Sequence, residues 1–319
     1  MTEKLHLSPP EVLGTQLAWM RGRRWVRTPM ARYTSLRVGG AADVLAIPAD
    51  VEDLLAIVAW ASEEGVPLTW LGNGTNLVVR SRGIRGVVVS LRAALTHLSL
   101  LDPLLFDEVQ AGNRVRLRVG AGMPLTRLLP VAIQKGLMGL GFAVGIPGTI
   151  GGAIVMNAGT DMGCMWDAVE SVLLLLPDGQ TVEVGAGDVP VGYRFARLPE
   201  RSLVLEATLS AVKGTPCEVR EEVRRLYRCR RQQQPLSQPN AGSIFKNPLG
   251  EFAGRLIDRL GLKGYRIGAA QVSPKHANFI VNLGEATSDE ILGLVNYVKA
   301  YVHTRTGILL EEEISIVGE

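Results

Sequence analysis

Between Gly136 and Thr160 the chain runs for 25 residues without a charge, and eight of those residues are glycine. The length would suit a membrane-crossing helix, but that glycine density, with Pro147 in the middle, makes a lone spanning helix a poor solution. A backbone surface that lets a ligand approach closely is the better reading. Two shorter loops, Gly72-Asn73-Gly74-Thr75-Asn76 and Gly120-Ala121-Gly122, also sit beside strand-like runs. Backbone N–H groups left free at such turns bind phosphate oxygens, so the three loops together point to a dinucleotide cradle. For any one loop alone, a tight turn without a ligand is an equal alternative.

The spacing of those glycines narrows the class. No G-x-G-x-x-G follows the first strand, and Gly145 to Gly152 lacks P-loop spacing, which disfavours a nicotinamide-type Rossmann unit and a P-loop NTPase. The histidines His6, His97, His276 and His303 form no H-x-x-x-H or Cys/His cluster, so no metal site is expected. Cys164, Cys217 and Cys229 make no C-x-x-C pair, which suits a reducing compartment and a cytoplasmic protein. Lys plus Arg exceed Asp plus Glu by 34 − 31 = 3, too little to call for a nucleic-acid partner. The basic stretch 217–231 reads as the solvated face of a helix with Leu226 inward.

A chain of 319 residues is expected to divide into two or three units. Residues 1–30 show no sustained period and read as a short helix at best plus a lead-in. From Ala42 the pattern sharpens into a strand, a helix from Val51 capped by Asp50, and further strands at 66–71, 77–79 and 86–91. A second unit starts near Val115 and closes with the strand 203–212. A change of composition after Lys213-Gly214-Thr215-Pro216 marks the last unit, whose closing run ILLEEEISIV reads as a strand. The divisions are therefore 1–30, 31–213 (with parts about 31–100 and 101–213) and 214–319. Strands and helices mix without regular βαβ alternation, which predicts an α+β fold.

From Tyr33 onward the chain carries YTSLRVGGAADVLAIP, LGNGTNLVVR, GFAVGIPGTIGGAIVMNAG, GYRFARL, AGSIFKNP, GLKGYRIGAAQVSPKHANFIVN and LEEEISIVGE. In that order these segments resemble the UDP-N-acetylenolpyruvoylglucosamine reductase family, the flavin enzymes of peptidoglycan precursor synthesis. The absence of a tyrosine-bearing insertion after Gly261 resembles the shorter of the two family types. The resemblance implies an FAD-binding domain of the p-cresol methylhydroxylase type, built of two α+β subdomains, followed by a C-terminal α+β substrate domain. It implies UDP-N-acetylmuramate dehydrogenase activity. NADPH would be the hydride donor, FAD a non-covalent carrier and a UDP-sugar the substrate, in a monomer without a membrane span.

The resemblance assigns roles residue by residue. Arg194 matches the arginine beside the enolpyruvyl carboxylate, where a permanently charged planar fork suits a bidentate contact. Glu313 matches the terminal glutamate. A carboxylate beside an enolate would repel it, so this side chain is expected to act protonated. Ser243 matches the serine that protonates the carbanion. Tyr193, Lys246, Asn247, Lys275 and His276 fall where the family contacts substrate, although for His276 a structural role is equally expected. Cofactor contacts are expected at Gly72, Asn73, Gly74, Thr75, Asn76, Gly120, Gly122, Gly145, Ile146, Gly148, Thr149, Gly152, Ala153, Asn157 and Gly159. On an alternating strand Glu311 and Glu313 share one face, which leaves Glu312 for solvent. Two positions depart from the family pattern: Ser315 stands where arginine is usual, and Thr160-Asp161 replace an aromatic region. The competing readings are another flavin oxidase or dehydrogenase of the same fold, for which only His97 could tether flavin, and a non-catalytic UDP-sugar-binding protein.

Overall fold

The computed structural model describes residues 8–101 and 110–319. Its first unit forms because the run Ala41–Ile47 is buried at every position but its ends, as a strand covered on both faces must be. The helix Val51–Glu63 follows and carries the chain back to the strand Leu68–Leu71. Its N-cap, Asp50, accepts a hydrogen bond from the Asp53 N–H. Both strands pair in parallel with Ile84–Ser90, which lies between them. Their carboxyl ends therefore open on one edge of the sheet, where the Gly72–Asn76 loop begins.

Residues 1–30 are more than the expected lead-in. The short helix is present at Pro10–Gln16, but Arg23–Pro29 is an edge strand paired antiparallel with Ala41–Ile47. Only Thr28 within it is buried, so there was no apolar period to read. Residues 1–7 of that segment lie outside the described residues.

The carboxylate of Asp53 locks this entry segment to the sheet. It accepts from the backbone N–H groups of Arg21 at 3.0 Å, Gly22 at 2.8 Å and Ala49 at 2.9 Å. Burial pushes its pKa up, but those three donors outweigh burial and hold it below the usual carboxylate range. The stabilisation is thus present above the unfolded-state pKa and is lost as pH falls through the depressed folded value. Asp53→Ala leaves three backbone donors without their acceptor and is expected to cost roughly 2–4 kcal/mol, read as a lower urea midpoint at neutral pH. An unchanged midpoint would remove the lock.

The second unit is an antiparallel sheet ordered Thr181–Gly185, Val169–Leu175, Leu203–Lys213, Arg114–Gly120 and Leu98–Leu100. The helices Leu125–Lys135, continuous through Pro130, and Ile150–Val155 accompany it. One apolar core runs from Leu13 through both units to Val219. The helix Pro216–Gln233 packs with this core, Val219 inside it and Leu226 against Gly141. Judged by packing, the boundary expected at 214 thus comes early, and the separate core of the last unit takes up at Ala241.

In that last unit Phe279–Asn282 lies between Asn240–Ser243 and Ala270–Val272, with Arg266–Ile267 on the outer edge. The helix Ser288–Thr306 is started by the Thr287/Glu290 capping box and stopped at Gly307, whose φ is +74°. The closing strand is shorter than expected. Only Ser315–Val317 forms a ladder, and it pairs in parallel with Leu77–Val79 of the first unit. Upstream, Glu312 bridges antiparallel to Phe245. The segment passes from one partner to another, so no single ladder runs its length. Among the described residues no helix is long and apolar enough to cross a membrane.

Candidate active site

The glycine loops meet where the first two units face each other. Asn73 Nδ2 donates to the carbonyls of Pro147 at 2.7 Å and Gly148 at 3.4 Å. A Cβ at Gly72 would stand 2.6 Å from the Thr149 hydroxyl oxygen, so only glycine allows this approach. Thr149 also caps the helix Ile150–Val155 by accepting from Gly152 N–H. Gly148 packs at van der Waals distance from the other loop, the Thr75 hydroxyl lying 3.8 Å from where a Cβ would stand. Ser90, at the carboxyl end of the parallel strand beside Leu71, has a fully buried hydroxyl without a partner among the described residues. Crevices outside the carboxyl ends of parallel strands are where α/β sheets hold nucleotides. The cleft open between these loops, lined by Asn73, Thr75, Arg92 and Arg127, fits the FAD that the resemblance implies.

Several of the expected cofactor contacts also have structural duties. Gly120 and Gly122 are buried against the chain at Leu91–Leu95; their Cβ atoms would lie 2.5 Å from the Leu95 carbonyl oxygen and 2.0 Å from that of Leu91. Asn76 Nδ2 donates to the Glu313 carbonyl at 2.9 Å, and the Asn76 carbonyl accepts from Ser315 N–H. Asn157, with φ +41°, donates to the Gly192 carbonyl and accepts from Trp166 N–H. Gly74 is pressed onto Tyr33 at φ +63°, and Ala153 is buried. Ile146 packs partly buried against the first core. Gly145, at φ +73°, lies under the Arg230 side chain.

The catalytic matches gather across these units. The hairpin Val191–Ala196 presents Arg194 at its turn with φ +62°, a strained setting for a side chain other than glycine or asparagine. Its Nε donates to Glu313 Oε1 at 2.6 Å and its Nη2 to the Gly159 carbonyl at 3.1 Å. Asn157 holds the base of this hairpin and Asn76 holds the backbone of Glu313, so the flavin-side loops fix both partners. Glu313 N–H donates to the Ile244 carbonyl at 2.8 Å, which sets it beside the Ser243 strand. No described residue hydrogen-bonds the Ser243 hydroxyl. Asn278, a buried residue not singled out from the sequence, clasps the same strand by pairing with both backbone groups of Phe245.

Burial drives the Glu313 carboxyl above its ordinary range, against the opposing pull of Arg194 and Lys246. Its neighbours separate cleanly. Glu312 is not solvated, as alternation suggested; it lies 2.7 Å from Lys299. Burial pushes its pKa up, but Lys299 wins and holds it low. Glu311 is the solvated one, its side chain 74% exposed with Lys246 Nζ at 3.4 Å. A second part-buried cation lies within the electrostatic reach of Arg194. Arg230 donates to the Val144 carbonyl at 2.7 Å and to Gln234. Burial, reinforced by the charge of Arg194 and opposed by Asp161, lowers its pKa. The helix 217–231 is therefore not solvated throughout. Arg230 stands four residues after the inward Leu226, a spacing that placed it on the buried face.

The expected substrate contacts divide. Tyr193 is half-exposed, its ring under the Arg194 guanidinium and its hydroxyl accepting from Asn247 N–H at 3.3 Å. Asn247 Oδ1 in turn accepts from Ala253 N–H at the start of the helix Ala253–Arg259. Lys275 Nζ donates to the Arg231 carbonyl. His276 stacks edge-on against Phe279 and accepts from Asn278 N–H through Nδ1. Burial lowers its pKa, and the structural reading is the one this geometry supports. His97 is engaged by Glu206 at 2.6 Å.

Comparison with known proteins matches two stretches of the chain. Residues 42–185 match the FAD binding domain family, and residues 234–317 match the C-terminal domain of UDP-N-acetylenolpyruvoylglucosamine reductase. A UDP-N-acetylenolpyruvoylglucosamine reductase of Geobacter metallireducens is 45% identical over 95% of this chain and 96% of its own length. That of Thiobacillus denitrificans is 40% identical over 100% of this chain and 99% of its own. The crystal structure of UDP-N-acetylenolpyruvylglucosamine reductase from Thermus caldophilus superposes with a TM-score of 0.75 at 34% identity, covering 94% of this chain and all of that one. Full-length likeness at this level shows that the chain belongs to the UDP-N-acetylenolpyruvoylglucosamine reductase family.

Proposed function

We propose that this chain reduces the enolpyruvyl ether of UDP-N-acetylglucosamine enolpyruvate to the lactyl ether of UDP-N-acetylmuramate, a step of peptidoglycan precursor synthesis. The chemistry supplied by bound FAD, once reduced by NADPH, is hydride delivery to the terminal vinyl carbon. The protein has to hold the resulting negative charge and protonate the middle carbon. Arg194, seconded by the positive field of Arg230, faces the substrate carboxylate, where a planar fork makes two charge-assisted contacts. Glu313, whose carboxyl burial shifts toward the protonated form, donates in that form to the oxygen on which charge develops. Ser243, whose hydroxyl no described residue engages, gives the proton to carbon. Tyr193 and Asn247 border the substrate, while Lys246 sits at the exposed rim. We read the chain as a monomer of the reducing cytoplasm, in keeping with its three free cysteines.

The observation that carries this reading is the Arg194–Glu313 pair, at 2.6 Å, which brings the second unit and the C-terminal segment to one point beside the Ser243 strand. Addition of NADPH under anaerobic conditions is expected to bleach the flavin band, and subsequent UDP-N-acetylglucosamine enolpyruvate to restore it. Bleaching without restoration would point to a different acceptor. A protein that takes up no FAD would leave only a nucleotide-binding role.

A further inference from the structure

A cavity of about 450 Å³ opens where the Gly72–Asn76 loop meets the Gly145–Thr149 loop, lined by Asn73, Thr75, Arg92, Pro124, Arg127 and Pro147. No carboxylate lines it, yet two arginines do. Arg92 follows the carboxyl end of the central parallel strand and is exposed. Its guanidinium touches only the Asn73 carbonyl at 3.4 Å and stands 5.9 Å from the centre of the Tyr33 ring. Arg127 stands across the cavity in the first turn of the helix Leu125–Lys135, also exposed, and its side chain has no partner among the described residues. Some surface arginines elsewhere are paired with carboxylates, such as Arg21 with Asp50, Arg27 with Glu11 and Arg259 with Glu251; what marks Arg92 and Arg127 is that both line one cavity that no carboxylate lines. Two unpaired cations facing one cleft repel each other across it, and an anion between them relieves that repulsion.

We infer that Arg92 and Arg127 form a cationic clamp on the diphosphate of FAD, adding charge to a cradle otherwise made of neutral backbone N–H groups. The inference rests on FAD lying between the two glycine loops. A diphosphate carries two negative charges, one for each arginine, and an arginine fork binds phosphate oxygens through two parallel N–H donors. Because both side chains are exposed, salt screens the attraction. The clamp thus sets the affinity of the dinucleotide and its dependence on ionic strength, while the neutral loops set its position. NADPH carries diphosphate as well, so the source of the anion is part of the test.

The experiment is titration of the full-length apoprotein with FAD, followed by quenching of flavin fluorescence, at several KCl concentrations. Wild type is compared with R92Q, R127Q, R92Q/R127Q and the charge-conserving R92K/R127K. The expected result is a Kd raised about 5- to 10-fold by each single change and on the order of 50-fold by the double glutamine variant, with a shallower salt dependence. R92K/R127K, which keeps the charge but loses the planar fork, keeps the wild-type salt slope and recovers part of the affinity. Wild-type affinity and slope in R92Q/R127Q would overturn the clamp. So would unchanged FAD binding together with a raised KM for NADPH, which assigns the anion to the pyridine nucleotide, and so would a lysine variant as weak as the glutamine one. A wild-type apoprotein that takes up no FAD overturns the cofactor reading beneath it, and this is seen before any variant is measured.

Discussion

Replacement of Ser243 by alanine is expected to leave NADPH-driven bleaching of the flavin at its normal rate and to slow the return of colour with substrate by at least about a thousandfold. The separation follows from where the hydroxyl sits. The strand Asn240–Ser243 is held by its ladder to Phe279–Asn282, and the residues just after it are held by Asn278 and by the Glu313 N–H. None of these bonds involves the serine hydroxyl, so its loss removes a proton donor without loosening the strand. A hydroxyl is a weak acid, adequate only toward a basic carbanion and only when aligned with it, so neither water nor a neighbouring carboxylate is expected to substitute well. Anaerobic stopped-flow absorbance separates the two half-reactions directly. Colour return at the wild-type rate in Ser243→Ala would take the proton-donor role away from this residue.

A residue's role is legible in the sequence where local pattern carries it, and not where long-range company does. The parallel strands and the Asp50 cap were readable because burial on both faces and a capping aspartate leave local marks. Arg23–Pro29 left none: an edge strand with one buried residue has no period. Arg194, Ser243 and Glu313 were found through motif resemblance, whereas their convergence required the fold. Asn76 and Asn157 lie in the motifs expected to touch cofactor, yet their amides brace Glu313 and the Arg194 hairpin, because side-chain direction is decided by partners more than a hundred residues away or on a neighbouring hairpin. The inward position of Arg230 is written in the local pattern: its spacing from Val219, Val223 and Leu226 marks an inward face, although the arginines around it on the same helix are exposed. Glu312 was misjudged for a different reason: alternation gives the face, but Lys299 on the facing helix decides what that face meets.

Glu313→Gln is expected to lower the rate of substrate-driven colour return by roughly a hundred- to a thousandfold, the usual cost of weakening one donor to a developing oxyanion. It should also remove an alkaline limb from the pH profile of that half-reaction. Burial raises the Glu313 pKa, and the attraction of Arg194 and Lys246 does not fully offset it. The protonated fraction therefore falls as pH rises through this raised value, and the wild-type rate falls with it. One oxygen of the carboxyl accepts from Arg194 Nε, which leaves the other free to carry the proton toward substrate. Glutamine preserves the acceptor toward Arg194 and a neutral N–H donor, so the pair stays assembled, but the donor is weaker and does not titrate. The same sign governs stability. A carboxyl whose folded pKa lies above its unfolded value stabilises the fold at low pH, and this contribution fades as pH rises through the folded pKa, so the glutamine variant should show a flatter stability profile across that window. Rates and denaturation midpoints measured in parallel over the same pH range test both consequences on one pair of proteins. A glutamine variant that kept the wild-type rate together with the wild-type alkaline limb would show that the titrating acid is another group and that Glu313 only anchors Arg194.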